Sequence, residues 1–176
     1  MPSPPVVKQR EILRYARAAS TCTLVETGTH TGETVAATRR HFDRVYSIEL
    51  DDAHYQAARR RFAQCPSVSI LHGDSASMLP EVLVHLDGPS LFWLDAHYSG
   101  GDTAKGPRET PIEEELELIL DHHLDGHVIL IDDARHFVGE HDYPTIEELE
   151  ELFRKERPNW VFEVRDDIIR SHPPLP

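Results

Sequence analysis

The chain has 176 residues and a formal charge of -13, from 18 Lys and Arg against 31 Asp and Glu. That length suits one domain, 1–176, with a real hydrophobic core. The acidic balance argues against a nucleic-acid backbone or an anionic membrane as the main partner, because either would need a basic face. Two cysteines, Cys22 and Cys65, make no spaced disulfide framework and suit reduced, buried thiols. The start, Met1-Pro2-Ser3-Pro4-Pro5, lacks the apolar core of a signal peptide, and no later apolar run is long enough for a bilayer. The expectation is a soluble, cytoplasmic protein.

Taken in order, Val6 to Ala19 carries Val7, Ile12, Leu13 and Ala16 on roughly one helical face, giving a helical extension over 1–20. Thr21 to Glu26 reads as the first strand and Thr34 to His41 as a helix. Between them lies Glu26-Thr27-Gly28-Thr29-His30-Thr31-Gly32-Glu33-Thr34, a tight turn whose glycines free the backbone to approach a ligand. Arg44 to Glu49 is a second strand, Asp51 or Asp52 caps a helix running to about Ala63, and Val68 to Leu71 is a third strand. His72-Gly73-Asp74-Ser75 is again a turn, followed by a helix over Ala76 to Leu86 and a strand at Leu91 to Leu94 that ends at Asp95.

His97 to Glu109 forms a glycine-rich loop longer than most compact connections, as lids often are. Thr110-Pro111-Ile112-Glu113 then opens a helix with a capping hydroxyl and a proline at its first position. His127 to Ile131 is the most apolar strand and ends at Asp132-Asp133. Thr145 opens a last helix, and Trp160 to Val164 and Ile168 to Ser171 form an antiparallel pair joined at Asp166-Asp167. His122, His123 and His127 flank a helix C-terminus, where histidine is favoured without any metal.

Alternating strands and helices predict an α/β, doubly wound, Rossmann-like fold. Its seven-stranded sheet should be mostly parallel, with an antiparallel last strand and helices on both faces. Five strands end in Glu26, Glu49, Asp74, Asp95 and Asp132-Asp133, and ligands of such sheets bind at that edge. Glu49, about 20 residues beyond the glycine turn, suits both hydroxyls of a ribose. Asp74 suits an exocyclic amine such as that of adenine, or a simple helix cap, and Leu50 and Met78 are placed to cover the ring. Glu26 and the turn's amides suit the amine and carboxylate of the same ligand's tail. S-adenosylmethionine has these parts.

These segments resemble the class I S-adenosylmethionine-dependent methyltransferases, and within them the metal-dependent catechol and caffeoyl-type O-methyltransferases. The resemblance covers Leu24 to Arg135. It implies cofactor binding by Glu26, Thr27, Gly28, Thr29, Gly32, Thr34, Glu49, Leu50, Gly73, Asp74, Ser75 and Asp95. It also implies one Mg2+, or another hard divalent cation, held by Asp95, Asp132 and Asp133, where the family often has asparagine at the last position. Oxygen-only ligands at adjacent strand ends fit such an ion.

Catechol-type relatives place a lysine base three residues beyond the first metal acid, where this chain has Tyr98. His97 is the leading replacement, with Lys105 and His136 as alternatives. The implied activity is methyl transfer to a small molecule with adjacent hydroxyls, a catechol or a sugar. Trp93, Tyr98, Phe137 and Tyr143 are candidate apolar walls. The short N-terminal region leaves the acceptor pocket open or completed by a second subunit, as in a homodimer. Competing readings are a metal-independent enzyme with a histidine base, a cofactor-binding module without catalysis, and, against the glycine spacing, a nicotinamide dehydrogenase.

Overall fold

A computed structural model describes residues 2–96 and 110–175. The helix α1 (Pro5–Ala19) starts on proline and ends where Ser20 takes the left-handed conformation, φ 54°. The strand β1 (Thr23–Thr27) follows, then the short helix α2 (Glu33–Thr38), which tightens into a 3-10 turn over Arg39–His41 rather than continuing as one helix. Next come β2 (Arg44–Glu49), α3 (Asp52–Arg61), β3 (Val68–His72), α4 (Ser75–Leu83) and β4 (Leu91–Leu94). After the undescribed stretch come α5 (Ile112–Leu120), β5 (Val128–Ile131), a 3-10 turn at Ala134–His136, α6 (Ile146–Glu156), β6 (Val161–Arg165) and β7 (Ile168–His172).

Capping decides several of these boundaries. Asp51 accepts from the His54 amide at 2.9 Å, and Asp74 accepts from the Ser77 amide at 3.0 Å. At Thr145 the reciprocal box with Glu148 is complete. At Thr110 it is not: α5 begins two residues later, with Thr110 Oγ1 accepting from the Ile112 amide at 3.3 Å.

The seven strands form one sheet in the order β3-β2-β1-β4-β5-β7-β6. The first five are parallel, and β7 inserts antiparallel between β5 and β6. The expected mixed sheet is therefore present. Strand order reverses between β1 and β4, so the carboxyl ends of these two strands flank the crevice that open α/β sheets use for ligands.

Helices cover both faces. Ile12, Tyr15 and Ala16 of α1, Val35 of α2, and Ala58 of α3 with the adjoining Phe62 pack on Leu24, Val45, Trp93 and Leu130. On the other face α4, α5 and α6 pack Leu79, Leu116, Ile119 and Phe153 on Val25, Phe92, Ile129 and Ile169. Strands β1, β4 and β5 are buried along their whole lengths, as central parallel strands must be. Trp93 belongs to the first of these cores and is fully buried. It is a packing residue and cannot wall an acceptor pocket. The two cysteines are free, and Cys22 is exposed rather than buried.

The register of α1 brings charge inside the protein. Glu11 is 2 % exposed and meets Arg170 of β7, itself fully buried, at 3.0 Å from Nη2 to Oε2. Arg170 also donates to the carbonyls of Arg165 and Ile168 at 2.6 and 2.8 Å, and Tyr15 donates to Glu163 at 2.7 Å. These bonds tie α1 to the far edge of the sheet. No helix among the described residues is long and apolar enough to cross a membrane.

Candidate functional site

Because β1 to β5 are parallel, their terminal acids emerge at one edge. Glu26 is the most enclosed, 1 % exposed, and lies directly opposite Ser47 in the β1–β2 register. Ser47 donates to Glu26 Oε2, and the hydroxyls of Ser47 and Thr29 are 2.6 Å apart. Burial pushes the Glu26 carboxyl up to about 8; the Ser47 and Thr34 hydroxyls oppose the shift, and the negative Asp95 and Glu49 add to it.

The turn after β1 is held by its own backbone. Gly28 has φ 86°, and a Cβ there would stand 2.5 Å from the Asp95 carbonyl oxygen. Only glycine lets the two strand ends approach this closely. The Gly28 and Thr29 amides donate to the Ile48 carbonyl at 2.9 and 3.1 Å, and the Gly32 amide donates to Thr29 at 2.8 Å. Those three amides serve the turn itself. Gly32, φ 72°, enters α2, and Thr34 lies half-buried in its first turn.

Glu49 accepts from the His30 amide at 2.6 Å and the Asp51 amide at 2.8 Å, one on each carboxylate oxygen. A carboxylate has about four lone-pair sites, so acceptor capacity remains. Asp74 is committed more locally, since its Oδ2 takes both the amide and the hydroxyl of Ser77. Met78 lies against Gly73, and Leu50 is 36 % exposed.

Asp95, Asp132 and Asp133 come together as expected, each offering an oxygen within 4.8 Å of the others. The Asp95 amide donates to Thr27 O at 3.0 Å, which fixes the end of β4 against β1. Asp133 adopts the left-handed conformation, φ 56°, and its amide donates to Asp132 Oδ1 at 2.8 Å. Arg135 reaches back to Asp133 at 2.6 Å and also bonds Asp167. Burial raises the Asp132 pKa, Asp95 and Asp133 raise it further, and Lys8 opposes them.

Lys8 was not among the sequence candidates. Its ammonium donates to Asp132 Oδ2 and stands 3.8 Å from Asp133 Oδ1. Burial works against its charge, but Asp95, Asp132 and Asp133 together hold its pKa above the ordinary value. Its signal was positional: Lys8 lies four residues before Ile12 and seven before Tyr15, on the buried side of α1.

Glu115 was also missed. It is 1 % exposed on the apolar side of α5, between Ile112 and Leu116. Burial pushes its carboxyl up to about 7, while the hydroxyls of Ser75 and Thr27 favour the charged form.

A shallow recess lies at this edge, lined by residues that include Asp95, Glu115, Asp132, Phe137 and Tyr143. Phe137 and Tyr143, two of the candidate walls, thus line the same recess as Asp95 and Asp132. His136 is exposed, with its ring 5.7 Å from that of Tyr143. His97, Lys105 and Tyr98 lie outside the described residues. The His122–His127 pair is a structural contact, with ring nitrogens 2.9 Å apart. Burial and His122 drive the His127 pKa down to about 4, so its ring is neutral and accepts from the Ser90 amide.

No protein-family profile and no curated protein matches this sequence. Solved structures do resemble it. The O-methyltransferase TomG of Streptomyces achromogenes, involved in tomaymycin synthesis and solved with S-adenosylmethionine, superposes with a TM-score of 0.69 at 17% identity, over 98% of this chain and 82% of that one. An O-methyltransferase from Bacillus cereus, solved with S-adenosylhomocysteine, gives 0.66 at 15% identity, over 96% and 81%. The 23S rRNA methyltransferase ErmE gives 0.61 at 14% identity, over 99% and 70%. At these identities the likeness concerns architecture: the chain has the Rossmann-like fold of the S-adenosylmethionine-dependent methyltransferases.

Proposed function

We propose that the protein is an S-adenosylmethionine-dependent O-methyltransferase acting on a small molecule with vicinal hydroxyls. The observation that carries the reading is the grouping at the β1–β4 switch point: Glu26 beneath the glycine turn, with Asp95, Asp132 and Asp133 on the adjoining strand ends. Glu26 would receive the cofactor's ammonium and Glu49 its ribose hydroxyls, while Gly28 keeps the turn low enough for the methionine tail to pass over it. Structures solved with S-adenosylmethionine or S-adenosylhomocysteine share this architecture, which supports the cofactor.

Asp95, Asp132 and Asp133 form an oxygen-only set that fits Mg2+ or another hard divalent cation. Such an ion, when bound, supplies a lowered pKa to an acceptor hydroxyl. The protein's own part is to hold the three carboxylates convergent, through Thr27 on the Asp95 backbone and Arg135 on Asp133. Phe137 and Tyr143 would flank a flat acceptor. Among macromolecular alternatives an RNA acceptor is disfavoured by the charge of -13, although the fold is shared with an rRNA methyltransferase.

A second reading is favoured by Lys8, whose ammonium already neutralises part of the aspartate group. In it the reaction needs no divalent ion, and a histidine such as His136 serves as base. A panel of catechols, other phenols and sugars with labelled S-adenosylmethionine, run with EDTA and with added Mg2+, separates the two. Turnover of a catechol that stops in EDTA and returns with Mg2+ supports the first reading. Undiminished turnover in EDTA supports the second. Cofactor binding without turnover of any acceptor would identify a binding module.

A further inference from the structure

Glu115 is a carboxyl on a helical face that is otherwise apolar. It lies between Ile112 and Leu116 on the buried side of α5 and is 1 % exposed. Enclosing a carboxyl there works against the stability of the fold. Its setting is nevertheless well defined. Thr27 at the end of β1 and Ser75 at the head of α4 bring their hydroxyls within hydrogen-bonding range of the carboxyl, and both favour its charged form. The Thr27 hydroxyl oxygen also accepts from the Asp95 amide at 3.3 Å, which leaves its own proton to point at Glu115. One hydroxyl thus joins the end of β4 to the Glu115 carboxyl.

Glu115 lines the recess shared by Asp95, Asp132, Phe137 and Tyr143, beside the aromatic pair proposed to flank the acceptor. The carboxyls at this recess are held in different ways. Asp132 accepts from the Lys8 ammonium and from the Asp133 amide. Glu115 is faced by the Thr27 and Ser75 hydroxyls, by Asp74 from α4, by Glu114 on its own helix and, across the recess, by Asp95, Asp132 and Tyr143. None of these is a cation. A carboxyl that meets hydroxyls and like charges rather than an ammonium is not locked as an ion and can take up and give back a proton near neutrality.

Resting on the methyl-transfer reading above, we propose that Glu115 is the general base of the reaction and takes the proton of the acceptor hydroxyl. The O–H proton passes to a carboxylate oxygen of Glu115 while a lone pair of the hydroxyl oxygen forms the new bond to the methyl carbon. The bond from that carbon to sulfur breaks, and its electron pair stays on sulfur, so the sulfonium becomes a neutral thioether. One negative and one positive charge disappear together. Glu115 returns its proton to water once the product leaves. This assignment holds in both forms of the reading, with or without a divalent ion on the aspartates. Thr27 and Ser75 are positioning residues that aim the carboxylate.

The test is the pH dependence of methyl transfer, between about pH 5 and 9, with labelled S-adenosylmethionine and whichever acceptor of the panel is turned over. The rate of the parent should rise through the ionisation of Glu115, near pH 7. Glu115→Gln should lower kcat at least about a hundredfold and remove the rising limb, with KM and the calorimetric affinity for S-adenosylhomocysteine within about threefold of the parent. Glu115→Asp, which keeps a carboxyl but withdraws it by one methylene, should lower kcat and retain the limb. His136→Gln should keep both. A Glu115→Gln variant with the parent's kcat and limb, or loss of the limb in His136→Gln, overturns the assignment to Glu115 and leaves the methyl-transfer reading standing. Failure of the parent to methylate any acceptor overturns both.

Discussion

Lys8 of α1 and Asp132 at the end of β5 are joined by a hydrogen bond across 124 residues of sequence, with the Asp132 carboxyl fully enclosed. The first helix thus places a cation among the three carboxylates proposed above to hold a divalent ion. The two cations are expected to compete. Lys8→Met should raise affinity for Mn2+, used as a probe for hard cations, by about tenfold. In EDTA the same variant should melt below the parent, because three convergent carboxylates then keep only Arg135 as counter-charge; Mn2+ should restore it. Equal Mn2+ affinity in both proteins, by calorimetry, would show that Lys8 and the ion do not share the site.

The Glu26 carboxyl, raised to about 8 by burial against the pull of Ser47, binds a proton in the folded protein that it releases in the unfolded chain. Its folded pKa lies above the unfolded one, so this group makes stability fall as pH rises from about 4.5 to 8. An incoming ammonium favours the carboxylate. Cofactor binding at pH 7 should therefore release about one proton, read by calorimetry in buffers of different ionisation enthalpy. Glu26→Gln should abolish the release and weaken cofactor binding while leaving Mn2+ affinity within about threefold. Proton release that persists in this variant would assign it to another group.

At Gly28 the left-handed backbone and the nearby Asp95 carbonyl act together. Gly28→Ala should cost about 3 kcal/mol, from the unfavourable φ and the forced separation of β1 from β4. For a chain of this length the melting temperature should fall by roughly 6–12 °C. Gly88→Ala is the control, since a Cβ there meets nothing within 4 Å.

Glu11 and Arg170 form a buried pair whose single removal strands a charge. Glu11→Ala should destabilise by about 3–5 kcal/mol, and Glu11→Met combined with Arg170→Leu by clearly less. Burial works to raise the Glu11 pKa, but Arg170, with Arg14 and Arg165, outweighs it and the net shift is downward. The pair's stabilisation is present above the ordinary glutamate pKa and is lost as pH falls through the lowered folded value. Urea titrations at pH 7 and pH 3 should show the parent and the double variant converging at the lower pH.

The fold was readable because its signals are local and repeated: apolar strands, each closed by an acid, alternate with helices begun by Asp51, Asp74 and Thr145. The convergence of Asp95, Asp132 and Asp133 was readable from the family resemblance together with their place at strand ends. What escaped lay on helices that the topology folds back over that edge. Lys8, Glu11 and Glu115 are charged residues on buried helical faces, each in an apolar period that reads as core. A charge in such a period marks an enclosed partner, but the partner is hundreds of atoms away along the chain and periodicity does not name it. Ser47 carried a similar mark, as the one aliphatic hydroxyl inside Val45-Tyr46-Ser47-Ile48, directly opposite Glu26.

The clasp between α1 and β7 also sets an order of assembly. Glu11 and Arg170 are 159 residues apart, and Lys8 rides on the same helix. During synthesis α1 leaves the ribosome long before its ionic partner exists, and β7 must then enter the sheet between β5 and β6. Closing the Glu11–Arg170 clasp is consequently a long-range step, of the kind that slows folding. Until α1 docks, the aspartate edge lacks the Lys8 ammonium.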